Sequence, residues 1–264
     1  MAVVTSREYK IVLKTAAFGD RDKAQKNLWL AVQAIANELQ IKIKGFMNEQ
    51  VERKVKFFDT PNRDFNDQGY VLRIRDSLKN GQPEKTKAML KFRSPDRIIS
   101  GGVDVSSPLK TSETKFEEDI LTPFRSQYAY STSVEITDSN WQTIANITQV
   151  FPGISALGLN PTTPVGTING FVANETVTRG AIIDFGKEEA PAAITLWNVA
   201  DGVGGEKLAI AEFSFAYSNA TGDFSPKSAN RAKNLFEKLQ TLAEWYDPNG
   251  TTKTKFVMTY TLTE

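Results

Sequence analysis

Two short segments, Val71-Leu72-Arg73-Ile74-Arg75 and Met89-Leu90-Lys91-Phe92-Arg93, alternate basic and apolar residues. Successive side chains on a strand point to opposite faces. Arg73, Arg75, Lys91 and Arg93 therefore share one face, and Leu72, Ile74, Leu90 and Phe92 the other. Four cations on one face of a sheet make either an ordinary solvated surface or a surface built to hold an anion. Other strands place carboxylates beside such cations. Glu8 and Lys10 stand opposite Tyr9, Ile11 and Leu13, and Lys115, Glu117 and Asp119 stand opposite Phe116 and Ile120. Asp184 lies in the apolar run from Ala181 to Phe185, Glu212 in the run from Leu208 to Tyr217, and Lys253 to Met258 reads as a last basic strand. A carboxylate inside an apolar strand is costly unless it is paired or bound to something.

The chain has no Cys and no His, which removes thiolate nucleophiles, Cys-based zinc sites, imidazole bases and Ser-His-Asp chemistry. Oxygen-ligand metal chemistry is untouched by that double absence. With 32 basic and 31 acidic residues the net charge is +1, so anion preference must come from local clustering and no general nucleic-acid field is expected. The start lacks an apolar signal core, and no stretch approaches the ~18 apolar residues of a membrane span, so a cytoplasmic protein with no membrane partner is expected.

Helices must position these strands. Leu28, Val32, Ile35 and Leu39 follow helical spacing within Asp22 to Gln40. A short helix is expected from Asp138 to Val150, capped by Asp138, Ser139 or Asn140, and a long one from Pro226 to Trp245, ended by Asp247-Pro248-Asn249-Gly250. Between Gln149 and Thr178 the only charged residue is Glu175, and Gly, Pro, Thr and Asn dominate. Such a stretch suggests an insertion or cap over the site, an elaborated connection, or a subunit contact in a homo-oligomer.

Phe58-Asp59-Thr60-Pro61, followed by Gly69-Tyr70-Val71-Leu72-Arg73-Ile74-Arg75 and then Leu90-Lys91, resembles the motif set of the triphosphate tunnel metalloenzymes. This is the CYTH superfamily of class IV adenylyl cyclases and thiamine triphosphatases. The resemblance is concentrated between Phe58 and Arg93. Beyond it Glu117, Arg179, Asp184, Glu212 and Lys255 fall in the family's order. The chain departs from the pattern where Ser6 and Ser214 stand in place of one carboxylate of each Glu-x-Glu pair.

The resemblance implies an α+β fold: a closed antiparallel eight-stranded β-barrel with flanking helices, forming one domain over residues 1–264 with an insertion at about 121–178. It implies a metal-dependent phosphohydrolase acting on a triphosphate-containing substrate inside the barrel. Lys10, Arg73, Arg75, Lys91, Arg93, Arg179 and Lys255 would hold phosphates, and Glu8, Glu117, Asp184 and Glu212 would hold one Mg or Mn ion. Glu8, Lys10 and Glu212 would be catalytic. The alternative is a non-catalytic binder of triphosphate, nucleotide or another organic anion that has lost part of the metal site. The seven cations and four carboxylates leave an excess of three positive charges. A triphosphate at roughly −4 to −5 with one divalent metal comes close to neutralising it.

Overall fold

The computed structural model describes residues 2–137 and 141–261. In chain order the elements are β1 (Ser6–Leu13), α1 (Arg21–Glu38), β2 (Lys42–Lys44), β3 (Glu49–Asp59), α2 (Asp64–Asp67), β4 (Tyr70–Lys79), β5 (Gln82–Ser94), α3 (Arg97–Gly101), β6 (Glu113–Leu121) and β7 (Arg125–Glu135). These are followed by α4 (Ile144–Val150), β8 (Gly166–Asp184), β9 (Glu189–Ala200), β10 (Glu206–Ser218), α5 (Pro226–Leu239) and α6 (Lys253–Thr259). The sheet runs β2-β8-β3-β4-β5-β7-β6-β1-β10-β9, and a β8–β9 pairing closes it. The barrel therefore has nine staves, with β2 as an extra strand on β8.

This corrects the expected eight antiparallel strands in two respects. A ninth stave is present, and β1 and β6 pair in parallel, with Ser6 opposite Glu117 and Glu8 opposite Asp119. Parallel neighbours need a long connection between them, and here about a hundred residues separate β1 from β6. The interval expected as an insertion, about 121–178, contains β7 and most of β8, both of them staves. Its compact non-stave part is α4 and a 3-10 turn over Pro152–Leu157.

The alternation read from sequence sets which face is dry. Tyr9, Ile11 and Leu13 of β1 and Phe213, Phe215 and Tyr217 of β10 pack outside the barrel against α1 and α5, through Leu28, Val32, Leu235 and Phe236. Leu72, Ile74, Leu90 and Phe92 pack on the opposite outer side, under Ile144, Ile147 and Phe151. Each such side chain fully removed from water stabilises the fold by roughly 1.5–3 kcal/mol. Both outer faces being covered, the polar faces of β1, β4, β5 and β6 are left to line the interior.

Helix boundaries follow from caps. Asp20 accepts from the Lys23 amide to start α1, and Ser225 accepts from the Ser228 amide ahead of Pro226 to start α5. α5 ends at Leu239, short of the expected Trp245. For α4, Asn146 reaches back to accept from the Thr143 amide at 3.1 Å, so the helix begins after Thr143. The expected caps Asp138, Ser139 and Asn140 lie outside the described residues.

The segment expected as a last strand, Lys253 to Met258, is α6. The β8–β9 closure leaves the barrel without an edge to receive another strand, and Thr252 caps the segment by accepting from the Lys255 amide. Val257 of α6 is buried among Phe57, Phe171 and Trp197. No helix among the described residues is long and apolar enough to cross a membrane.

Candidate functional site: a charged cavity inside the barrel

The barrel encloses a cavity of about 390 Å³. β1 supplies Glu8 and Lys10, β4 Arg73 and Arg75, β5 Lys91 and Arg93, β6 Lys115, Glu117 and Asp119, β10 Glu212, and α6 Lys253. Glu113 and Arg125 complete the charged lining, while Val12, Phe57, Met89 and Leu121 give it apolar patches. Eight cationic and five acidic side chains thus face one space, an excess of three positive charges.

Most of these charges are paired. Lys10 Nζ lies 2.8 Å from Asp119 and 2.9 Å from Glu8. Lys91 lies 3.2 Å from Glu117, Lys115 lies 2.7 Å from the same carboxylate, and Arg93 lies 3.4 Å from Asp119. Lys253 reaches Glu212 at 2.6 Å, and Arg93 donates to Thr254 at 2.8 Å. These last two contacts dock the start of α6 onto the barrel wall.

Arg73 is different. It carries no ion pair among the described residues, its one side-chain hydrogen bond among them is donated to Met89 Sδ at 3.2 Å, and its Nε is enclosed without an acceptor. The Nε atoms of Arg75 and Arg93 are likewise buried without a hydrogen-bond acceptor. A buried unpaired donor costs about 1–3 kcal/mol, so three guanidinium groups around one cavity mark a place where an acceptor-rich ligand would be stabilised.

The titration behaviour follows from this crowding. Burial pushes the Arg73 guanidinium well below its usual value, and Arg75 and Arg93 add repulsion that Glu175 only partly offsets. Burial also lowers the Lys91 ammonium, against the pull of Glu117 and Asp119. For Lys10 burial acts the same way, but Asp119 and Glu8 outweigh it and hold the ammonium above the usual lysine range. Burial opposes ionisation of Glu117, yet Lys91, Lys115 and Lys10 pull it down to about 2. Asp119 is held still lower, because Lys10, Lys91 and Arg93 overcome its burial.

Of the residues expected from sequence, Glu8, Lys10, Arg73, Arg75, Lys91, Arg93, Glu117 and Glu212 line the cavity. Arg179, Asp184 and Lys255 do not. Arg179 is half-exposed and pairs with Glu49 at 3.3 Å. Asp184 pairs with Lys44 at 2.9 Å and accepts from the Gly186 amide at 2.9 Å. Both fall in the last residues of β8, where Arg179 pairs with Glu49 at the very start of β3 and Asp184 pairs with Lys42 of the extra strand β2. Between them a bulge around Gly180, whose φ is +121°, exchanges the faces of β8, so that Ala173 faces inward while Ala181 and Ile183 join the outer core. Lys255 is exposed on α6, and Lys253, two residues earlier, takes the interior place.

Sequence reasoning placed Asp119 on the face of Glu117 without counting it as a ligand. Oxygens of Glu8, Glu117 and Asp119 all lie within 4.8 Å of one another. The parallel β1–β6 register brings them together, and no spacing along the chain announces it.

No family profile matches the sequence, and no curated protein matches it. Solved structures do resemble it. One is a Hippeastrum protein, a candidate adenylyl cyclase with a dominant triphosphatase activity. It is 14% identical over 96% of this chain and 95% of its own, with a TM-score of 0.47. A candidate adenylate cyclase of Bacillus halodurans is 12% identical over 97% and 99%, with a TM-score of 0.42. Another, of Vibrio parahaemolyticus, is 17% identical over 98% and 100%, with a TM-score of 0.39. Their names are those of the cyclase and triphosphatase group that the motif between Phe58 and Arg93 resembles. At these identities and TM-scores the likeness carries no functional weight. The cavity's own residues must carry it.

Proposed function

We propose that the protein is a metal-dependent phosphohydrolase that holds a triphosphate-containing substrate inside its barrel. The observation that carries this reading is Arg73, a largely enclosed cation with no carboxylate ion-pair partner among the described residues, flanked by two more guanidinium groups whose buried Nε atoms find no acceptor there. A neutral ligand could accept hydrogen bonds from those donors but would leave the cavity's excess of three positive charges uncompensated. A chain of phosphates offers acceptor oxygens along its length, and Arg73, Arg75, Lys91 and Arg93 are spaced along two adjacent strands to meet them.

Glu8, Glu117 and Asp119 suit a hard divalent cation, since all three donors are carboxylate oxygens and they already lie close together. A single Mg or Mn ion held there would act as a Lewis acid and lower the pKa of a bound water. The residues do the rest. The arginines orient the phosphates and stabilise charge that builds on the transferred group, and Lys10, beside the triad, neutralises the phosphate nearest to it. Glu212 of β10, the neighbour of β1, is neutralised by Lys253 of α6.

A non-catalytic polyanion binder is the second reading, and one contact favours it. Lys10 Nζ sits between Glu8 and Asp119, where an ammonium already satisfies two of the three carboxylates.

A thermal-shift titration with inorganic tripolyphosphate, with and without Mg or Mn, followed by a phosphate-release assay, separates the two. Stabilisation with release only in the presence of metal is the expected result. Stabilisation without release under any metal condition selects the binder, and no stabilisation refutes the tunnel reading.

A further inference from the structure

A second charged cluster stands beside the cavity. Glu175 of β8 is only 2% exposed. Its Oε1 accepts from Arg53 at 3.0 Å and lies 3.8 Å from Arg75 Nε, and its Oε2 accepts from Trp197 Nε1 at 2.9 Å. Arg75 lines the cavity, whereas Arg53, Glu175 and Trp197 are not among its lining residues. The carboxylate thus lies behind the cationic wall and is shared by one arginine inside the cavity and one outside it. Burial opposes its charge, but Arg75, Lys253, the Trp197 bond and Arg53 hold it well below the usual carboxylate range. It is a permanent negative charge in the barrel.

We propose that Glu175 is a specificity residue, a fixed internal anion that limits how much negative charge the cavity accepts and so favours triphosphate over longer polyphosphates. The proposal rests on the tunnel reading above. Without Glu175, Arg53 and Arg75 would both present unshared charge to the cavity. With it, the arginine pair carries one net positive charge instead of two. Because Coulomb energy scales with ligand charge, a fixed carboxylate penalises a tetraphosphate more than a triphosphate and a triphosphate more than a pyrophosphate. A residue that merely held the barrel together would weaken all three alike.

The test is calorimetric titration of the full chain with pyrophosphate, tripolyphosphate and tetrapolyphosphate in metal-free buffer, for wild type, Glu175→Gln, Glu175→Asp and Arg53→Gln. Glu175→Gln should tighten binding by about fourfold for each unit of ligand charge at moderate salt, so that preference moves toward tetrapolyphosphate. Glu175→Asp should keep the wild-type order. Arg53→Gln should move preference the opposite way, toward the shorter ligands, and it decides the matter if Glu175→Gln fails to fold. Equal changes for all three ligands in Glu175→Gln, or an unchanged order in Arg53→Gln, would overturn the role given to Glu175 while leaving the tunnel reading in place. Failure of the wild type to bind any of the three overturns both.

Discussion

Replacing Arg73 by Met should make the ligand-free protein more stable and the ligand-bound protein less so. Wild-type Arg73 leaves its buried Nε without an acceptor and has no ion pair among the described residues. Removing one buried unpaired donor recovers about 1–3 kcal/mol, and a Met side chain keeps the apolar stem in contact with its surroundings. At about 2–4 °C per kcal/mol for a chain of this size, Arg73→Met should melt about 2–12 °C above wild type in buffer free of phosphate and sulfate. Binding should move the other way. Losing two charge-assisted hydrogen bonds at about 1.5–3 kcal/mol each weakens tripolyphosphate by about 10²–10⁴-fold. At a ligand concentration of about 100 times Kd, wild type gains about 2.7 kcal/mol, so the order of the two melting curves narrows or reverses. Arg75→Met is the internal control. Its Nε is also buried without an acceptor, but its guanidinium lies 3.8 Å from Glu175, so its removal takes a cation from a buried carboxylate as well as a donor and should raise the ligand-free melting temperature less than Arg73→Met does. Paired melting curves with and without tripolyphosphate read all of this. A folded Arg73→Met variant that melts below wild type in anion-free buffer, or that binds tripolyphosphate as wild type does, would refute the account of Arg73 as a cation awaiting an anion.

Three further outcomes are expected. Glu117, Asp119 and Glu175 all have folded-state pKa values below the unfolded value of about 4, with Glu117 at about 2. Their contribution to stability is therefore full above pH ~4.5 and is lost as the pH falls toward 2; melting temperature against pH should drop steeply over that window and more gently in Glu117→Gln. Asp119→Asn should weaken Mn binding at least ~10-fold, by loss of one of three close carboxylates, while metal-free tripolyphosphate binding is retained; a calorimetric Mn titration equal to wild type would remove Asp119 from the metal site. Arg179→Ala and Lys255→Ala, which lie outside the cavity, should each stay within about 0.5 kcal/mol of wild type and leave phosphate release unchanged, and a large loss of release in either would reopen the family-order assignment.

Much of the cavity was legible as alternation. The period of two in Val71 to Arg75 and Met89 to Arg93 put four cations on one face, and the same rule put Glu8 with Lys10 and Glu117 with Asp119, because a pleated strand leaves no other choice. The counted excess of three positive charges also stands, although its members changed. Lys253 and Lys255 are two apart and would share a face on a strand; on α6 they diverge, and the capping threonine together with the closed barrel makes that segment a helix. Arg179 and Asp184 sit in apolar-rich runs that promise burial, but they fall at the end of β8, where Glu49 and Lys44 pair with them outside the cavity. A bulge at Gly180 also turns the strand over between them, and a lone Gly in a strand is the only hint of it in the chain.

Sequence by itself determined the chemistry: no Cys or His, hence oxygen ligands and cations only, and basic faces on strands whose other faces must be dry. It also singled out Glu175 as the one charge in a long uncharged stretch, without saying what that charge meets. Tertiary structure decided the company each charge keeps. The parallel β1–β6 pairing brings Asp119 beside Glu8 across about a hundred residues, and β3, β8 and β9 bring Arg53 and Trp197 onto Glu175. Local alternation fixes which face a side chain takes because it depends on one strand's geometry, whereas partners depend on strand order, register and closure, which are properties of the whole barrel.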